Sequence, residues 1–295
     1  IKNWSLEISI WTTVLTNLID NLKDKIYFPY DDFNSKITIL KNINELENIY
    51  KKIWKTDDFK KIKLTNYLWN AYSLDEIKIQ IINSIPKYLQ KDFGFAYFTK
   101  CYNYNDTCSS LDLTWKYLSL QLEIPWIDNT KVYEYYKKSL ETYILKQENS
   151  YINLEYFIPI SLKKDSDFIN KYLKIENNSL SNIDKLNYLE IFSNIWTTNT
   201  NTKNFLQELN NSVFIEARWS VLPSNNTFYY WNNIYSSAKF LSILLENNVE
   251  NELLIWNLAR YITTWNDVYY NDFTQVLITI NKYLDKTKEL ENVEF

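Results

Sequence analysis

The residues best suited to chemistry in this sequence are two adjacent carboxylates, Asp31 and Asp32. Neighbouring carboxylates that follow a helix can act as general acid and base or hold a metal ion. The residues that come next, Phe33-Asn34-Ser35, lack the further aspartate of an aspartate-rich metal motif, so no metal is predicted. We expect a solvated turn here, with catalysis as the alternative.

The residue types that are missing exclude most other enzymatic chemistry. The chain has no histidine, which removes Ser-His-Asp and Cys-His catalysis and the usual zinc ligands. Its one glycine, Gly94, is too few for a dinucleotide-binding fingerprint or a phosphate-binding loop. An enzyme with this sequence would depend on carboxylates, and no cofactor is predicted.

A run of aromatic residues near position 230 is a second candidate site. Trp219, Tyr230 and Trp231 could stack on sugar rings or grip a peptide, since tyrosine and tryptophan are enriched at interfaces. The chain holds 25 tyrosines and 11 tryptophans, so such clusters also arise by chance. Core packing is the favoured interpretation, and binding is the alternative.

Charge and hydropathy restrict the partners of the chain. Lysine and arginine total 32 against 36 acidic residues, so no basic surface is predicted for nucleic acid. No apolar run approaches the roughly 18 residues of a membrane-spanning helix, and the first residues lack a signal-peptide pattern. Because the sequence begins at Ile1 and contains no methionine, we expect a piece of a longer protein, with any membrane anchor outside it.

The ratio of tryptophan to glycine is unusual. Eleven tryptophans stand against one glycine, although glycine averages about 7% of residues in globular proteins. An AT-rich genome explains scarce glycine only in part. A further hypothesis is that some tryptophans stand at UGA codons that the organism reads as glycine, which peptides containing Trp126, Trp196 or Trp265 would test.

Apolar residues at helical spacing recur along the whole chain. Caps are predicted at Asn44, Asp75, Ser109 or Ser110, and Asn129. The predicted helices lie at about residues 5–23, 37–40, 45–54, 75–89, 110–122, 130–144, 167–173, 182–196, 204–209, 235–246, 252–263 and 272–284. Pro86 is expected to kink the fourth of these.

Strand patterns are few. Val213–Trp219 and Phe95–Phe98 could be extended, but neither has an evident partner strand. About a dozen helices with short connections predict an all-α chain, with residues 1–295 as a single domain. Successive antiparallel helix pairs would close as a curved solenoid or as a ring of inner and outer helices.

The order of these segments resembles a known family. After the helix near Leu89 come Gln90 and Phe93-Gly94-Phe95, then the aromatic pair Tyr97-Phe98. This resembles the thioester-domain region of bacterial alpha-2-macroglobulins, where a glutamine-containing turn precedes Gly-Gly-Phe, with Phe93 standing at the first glycine. The last helices, through Phe273 to Tyr283, are similar in order and spacing. The resemblance implies an α/α toroid, a fold shared with terpene cyclases and several polysaccharide-acting enzymes.

The family's reactive thioester joins Cys and Gln within Pro-Tyr-Gly-Cys-x-Glu-Gln. The matching segment here runs from Pro29 and Tyr30, which fit, through Asp31 and Asp32 to Asn34. Asp31 stands at the glycine and Asp32 at the cysteine. Without a thiol no thioester can form, so we interpret the segment as degenerate.

The two cysteines lie elsewhere, in a polar loop. The extracytoplasmic setting that the family implies favours a local disulfide between Cys101 and Cys108. Such a small loop would contribute on the order of 2 to 3 kcal/mol. Two free thiols are the alternative.

Taken as a whole, the resemblance implies a non-catalytic, thioester-less toroid domain. It would belong to a large protein of the periplasm or cell surface that entraps proteases by packing and conformational change. Its partners would be proteases and other domains of the same polypeptide. The alternatives are a carboxylate-dependent toroid enzyme acting on polysaccharide and, third, a terpene-cyclase-like enzyme.

Overall fold

The computed structural model describes residue 16 and residues 32–53, 55–65, 71–99, 108–147, 152–174, 180–195, 199–216, 219–222, 233–247, 254–255 and 270–291. The predicted helix at residues 5–23 lies almost entirely outside them, as does most of the one at 252–263. Within the described residues the chain is mostly helical, which confirms the all-α class. The toroid closure stays a prediction.

Eleven α-helices have defined ends in the described part of the chain. They are α1 Phe33–Lys52, α2 Thr56–Lys61, α3 Leu74–Ser84, α4 Leu111–Ser119, α5 Asn129–Lys146, α6 Ile158–Leu162, α7 Ser166–Tyr172, α8 Asn182–Asn194, α9 Thr200–Asn211, α10 Asn233–Glu246 and α11 Tyr270–Glu291. Two 3₁₀ helices, Ile85–Tyr88 and Leu154–Phe157, precede a loop and α6 respectively.

Helix α1 is one continuous helix where the sequence predicted two. Asn44 was expected to start the second helix, but it lies inside α1. The reason is a continuous stripe of apolar side chains along one face, which has to stay buried. Its members are Phe33, Ile37, Leu40, Ile43 and Leu46, all fully or almost fully buried.

Of the caps predicted for α3 and α4, one is confirmed and the other is replaced by neighbouring side chains. Ser110 caps α4 as predicted, accepting from the amide of Leu113. Asp75 does not cap α3, because Ser73 and Glu76 form a reciprocal pair there. Pro86 does not kink a long helix, since α3 ends at Ser84 and the proline lies in the following 3₁₀ helix.

Two short antiparallel hairpins interrupt the helices. β1 Lys63–Thr65 pairs with β2 Ala71–Ser73, and β3 Phe214–Glu216 pairs with β4 Trp219–Val221. The stretch predicted as extended at 213–219 therefore contains β3 and the first residue of its partner β4, so it is not one continuous strand. Strands of three residues are too short to show an alternating pattern, which explains why the first hairpin was missed.

The chain divides into two compact units. The first comprises residues 1–29, 42–76 and 208–295, and the second comprises 30–41 and 77–207. The single-domain organisation stays a prediction. Among the described residues, no helix combines the length and apolar character that crossing a membrane would need.

In the first unit, α10 packs along α11 through buried apolar side chains that include Leu241, Leu277 and Ile280. Polar side chains fix the register of α11. Asn281 Nδ2 donates to the Glu45 backbone oxygen at 3.0 Å and to its carboxylate at 2.6 Å, and Thr274 Oγ1 donates to Asn42 Oδ1 at 2.7 Å. Because both contacts are buried, they also specify which turn of α11 lies against α1.

Replacing Asn281 tests this polar contact. We expect Asn281→Ala to lower the free energy of unfolding by about 1 to 3 kcal/mol, because two buried hydrogen bonds from the Asn281 amide to Glu45 are lost. Chemical denaturation would measure it. Lys203→Ala, exposed on α9, is the control, and equal stability of the two variants would contradict the argument.

Candidate functional site

The segment that the sequence resemblance aligns with the family's thioester leads into the start of α1. Pro29, Tyr30 and Asp31 are outside the described residues, whereas Asp32 and Asn34 are within them. Asp32 is the N-cap of α1: its Oδ1 accepts from the Ser35 amide at 2.9 Å, and its Oδ2 accepts from Ser35 Oγ at 2.7 Å. The carboxylate thus accepts a hydrogen bond from one of the first amides of α1, which have no carbonyl partner within the helix.

The identity of these two residues matters. In the alignment with Pro-Tyr-Gly-Cys-x-Glu-Gln, Asp32 stands at the cysteine and Ser35 at the glutamine. In the correspondence that the sequence predicts, these are the two positions that the family joins covalently, and here their side chains share a hydrogen bond. The described part of this segment therefore caps a helix, and neither side chain is an electrophile.

Lys116 on α4 contacts the same segment. Its Nζ donates to Asn34 Oδ1 at 2.5 Å, while the Asn34 backbone oxygen accepts from Thr38 Oγ1 at 2.8 Å. Burial lowers the pKa of the Lys116 ammonium to about 8, against the opposing influence of the Asp32 charge. Lys116 was not singled out from the sequence, where the only indication is a lysine between the apolar residues Trp115 and Tyr117.

An aromatic cluster holds the start of α1 in place. Phe33 stacks on Phe95 with ring centroids 4.5 Å apart, and it also contacts Tyr88 and Tyr117. All four side chains are almost completely buried. The residue directly after Asp32 is therefore packed against the Gly94 turn, which connects the degenerate segment with the second feature of the family resemblance.

The Gly94 turn is a compact hydrogen-bonded loop. Gln90 N–H donates to the Gly94 oxygen at 2.9 Å, and the Gly94 amide donates to Asp92 Oδ1 at 3.1 Å. Phe95 forms single β-bridges with Leu89 and with Ser110. The predicted extended stretch is thus a bridge at one residue, fixed between the end of the 3₁₀ helix and the cap of α4.

Gly94 is required for space. A Cβ atom there would lie 2.5 Å from Ser109 Cβ and 2.5 Å from the Tyr135 ring. The left-handed backbone conformation belongs instead to Phe93, with φ of 68°. Phe93 is where the resemblance places the first of two glycines, so the backbone has the conformation that a glycine pair would favour.

Three carboxylates in the second unit accept hydrogen bonds from tyrosines. Asp112 accepts from Tyr156, Glu141 from Tyr172, and Asp165 from Tyr133. Burial opposes ionisation of Asp165, but hydrogen bonds from Lys137 and the Phe168 amide hold the pKa of its carboxyl below the usual range. Each of these hydrogen bonds joins two different elements of the second unit.

No metal site is found within the described residues: no group of three or more Asp, Glu or Cys side chains could hold an ion. The Asp31–Asp32 pair was the one candidate from the sequence. Asp31 lies outside the described part, and Asp32 is engaged with Ser35.

The other candidate residues are only partly visible. Tyr230, Trp231 and Cys101 lie outside the described residues, and Trp219 is described by its backbone in β4 alone. Cys108 has no free thiol. The pairing of Cys101 with Cys108 and the role of the aromatic residues stay predictions.

Comparison with known proteins identifies the fold. No family model and no curated protein matches the sequence. The native conformation of Escherichia coli alpha-2-macroglobulin, determined by cryo-electron microscopy, matches 90% of this chain with a TM-score of 0.54 and 10% identity. A crystal structure of the same protein, from domain MG7 to the C-terminus, matches 90% with a TM-score of 0.55 and 12% identity. The fold is alpha-2-macroglobulin-like.

These matches have a defined extent. The chain covers 17% of the first structure and 42% of the second, so it spans less than half of either. At such identities the likeness concerns the fold. It confirms the bacterial alpha-2-macroglobulin resemblance at that level, and the correspondence with the thioester-domain region stays a prediction.

Substituting Gly94 tests the spatial argument. We expect Gly94→Ala to lower the free energy of unfolding by about 1 to 3 kcal/mol, because Ser109 and Tyr135 have to move to admit a methyl group. Lys91→Ala, exposed in the same turn, is the control and should change stability little. A Gly94→Ala variant as stable as the control would show that Ser109 and Tyr135 leave room for a methyl group at position 94.

The lowered pKa of Lys116 predicts a pH effect. The unfolded chain keeps the lysine proton up to about pH 10.5, whereas the folded chain releases it near pH 8. Between those values the unfolded state binds more protons, so the contribution of Lys116 to stability increases with pH. Relative to Lys116→Met, the native chain should gain about 1 to 2 kcal/mol between roughly pH 8 and 9.5. Denaturation curves of both proteins at both pH values would measure this. A difference in the free energy of unfolding that does not change with pH would show that the amine is solvated and would contradict the prediction.

Proposed function

We propose that this chain is a thioester-less domain of a bacterial alpha-2-macroglobulin-like protein. In this role it contributes packing surfaces and conformational change to the entrapment of proteases, and it forms no covalent bond with them. The observation that carries the proposal is the Asp32–Ser35 hydrogen bond at the two positions that the family joins as a thioester.

The surroundings of that bond support a structural role. Asp32 caps α1, Phe33 is buried in the aromatic cluster, and Lys116 binds Asn34. A reactive acyl group has to be shielded until it is triggered and then exposed. In the proposed correspondence, the described part of the equivalent segment is held by the Asp32 cap and by the buried Phe33 ring.

The proposed setting follows from the same family. Partners would be proteases and the other domains of the polypeptide, in the periplasm or at the cell surface, with membrane attachment only through a segment outside this sequence. The match to a minor part of a much larger chain supports a role among other domains. No cofactor is proposed.

The experiment uses the full-length protein from which the chain derives. It is incubated with proteases of different specificities, and association is followed by native size-exclusion chromatography and then under denaturing conditions. We expect an active protease to co-elute and to separate fully on denaturation. An active-site-blocked protease is the matched control and should not be retained, because it cannot cleave a bait segment.

Treatment with methylamine tests the chemistry separately. A thioester would add the amine and release a thiol, whereas this protein should show neither change by mass spectrometry and thiol titration. A protease adduct that survives denaturation would contradict the loss of the thioester. Failure of every active protease to associate would contradict entrapment, and release of reducing sugars from a polysaccharide would favour the enzyme instead.

A further inference from the structure

The turn between α4 and α5 carries a tryptophan in an unusual backbone conformation. Ile127 N–H donates to the Ile124 oxygen at 3.2 Å, which closes a β-turn with Pro125 second and Trp126 third. Trp126 has φ of 73°. Proline at the second position and positive φ at the third are the pattern of a type II turn, in which the third residue is glycine or asparagine.

The Trp126 side chain contributes no packing that would compensate for this conformation. It is 94% exposed, the highest value among the large exposed apolar residues of the described chain. Bulky residues with positive φ are genuine outliers, since Cβ meets the backbone carbonyl oxygen. An indole that is both strained and solvated stabilises neither the turn nor the core.

Trp115 shows how the same chain uses tryptophan where the side chain matters. Its Nε1–H donates to the Glu155 backbone oxygen at 2.6 Å, and its ring lies edge-on to Tyr156 with centroids 6.3 Å apart. The side chain thus supplies both a hydrogen bond and apolar contact. At position 126, by contrast, the turn requires a positive φ, and the side chain makes no buried contact.

We propose that position 126 of the native protein is occupied by glycine, inserted at a UGA codon that has been translated as tryptophan in this sequence. Glycine adopts the required conformation without strain and leaves nothing apolar in solvent. The inference is independent of the proposed function.

Mass spectrometry of the protein purified from its own organism is the decisive experiment. The tryptic peptide from Tyr117 to Lys131 contains position 126, and the peptide ending at Lys116 contains Trp115. We expect glycine at 126, which makes the first peptide lighter by the difference between the two side chains. Tryptophan at 126 overturns the proposal. The peptide that ends at Lys116 is the control: it should contain tryptophan at position 115, which shows that tryptophan is assigned correctly in the same digest.

Variants of the full-length protein test the physical argument. Trp126→Gly should raise the midpoint of thermal unfolding of this domain. Trp126→Ala should leave it nearly unchanged, because alanine removes a solvated indole but keeps the positive-φ strain. Trp115→Gly should lower the midpoint, since it removes the bond to Glu155. A lower midpoint for Trp126→Gly than for the unmodified chain would show that the indole is needed and would overturn the proposal.

Discussion

The close approach of the Gly94 backbone to Ser109 and Tyr135 is the constraint on which the candidate site depends. Tyr135 lies on α5 and Ser109 precedes the cap of α4, so this contact brings two helices to one turn. Phe95 then extends from the turn to bridge Leu89 and Ser110. Its ring in turn supports Phe33, the first residue of α1. The start of α1 therefore packs on a turn whose geometry requires glycine at position 94.

Under the proposed function, a helix cap stands where the family has a thioester, and this has a physical consequence. A cap contributes about 1 kcal/mol and forms within one turn of chain. The Asp32–Ser35 pair stabilises α1 locally and stores no chemical energy. Any rearrangement of this domain would have to be driven by differences in packing between conformations, because no bond cleavage is available at this position.

Long apolar patterns made the helical class predictable, whereas the helix boundaries and caps depend on which side chains become buried and hydrogen-bonded. The stripe from Phe33 to Leu46 is readable in the sequence, yet Asn44 suggested a break that burial of the stripe overrides. Asn129 was expected to be a cap, but Asp128 takes that position and Asn129 accepts from the Tyr117 hydroxyl instead. Such choices depend on partners far along the chain.

The candidate site likewise has one residue that the sequence predicted and one that it did not. Asp32 was recognised because a motif could be aligned, whereas Lys116 was not, because its partner Asn34 is 82 positions away. Sequence spacing carries no information on such a contact. The feature that identifies Lys116 is the combination of burial with a hydrogen bond, which only the folded chain provides.

Gly94, Phe93 and Trp126 separate two reasons for which proteins use glycine. A left-handed residue other than glycine costs roughly 1 to 2 kcal/mol, and the folded chain tolerates this at Phe93, Gln121 and Lys164. A position with no room for Cβ cannot be rescued in that way, because the neighbours themselves have to move. Gly94 has no positive φ and is of this second kind. A chain with so little glycine would therefore keep it where space is lacking, and the conformational demand at position 126 would remain to be met by strain or by a different decoding of its codon.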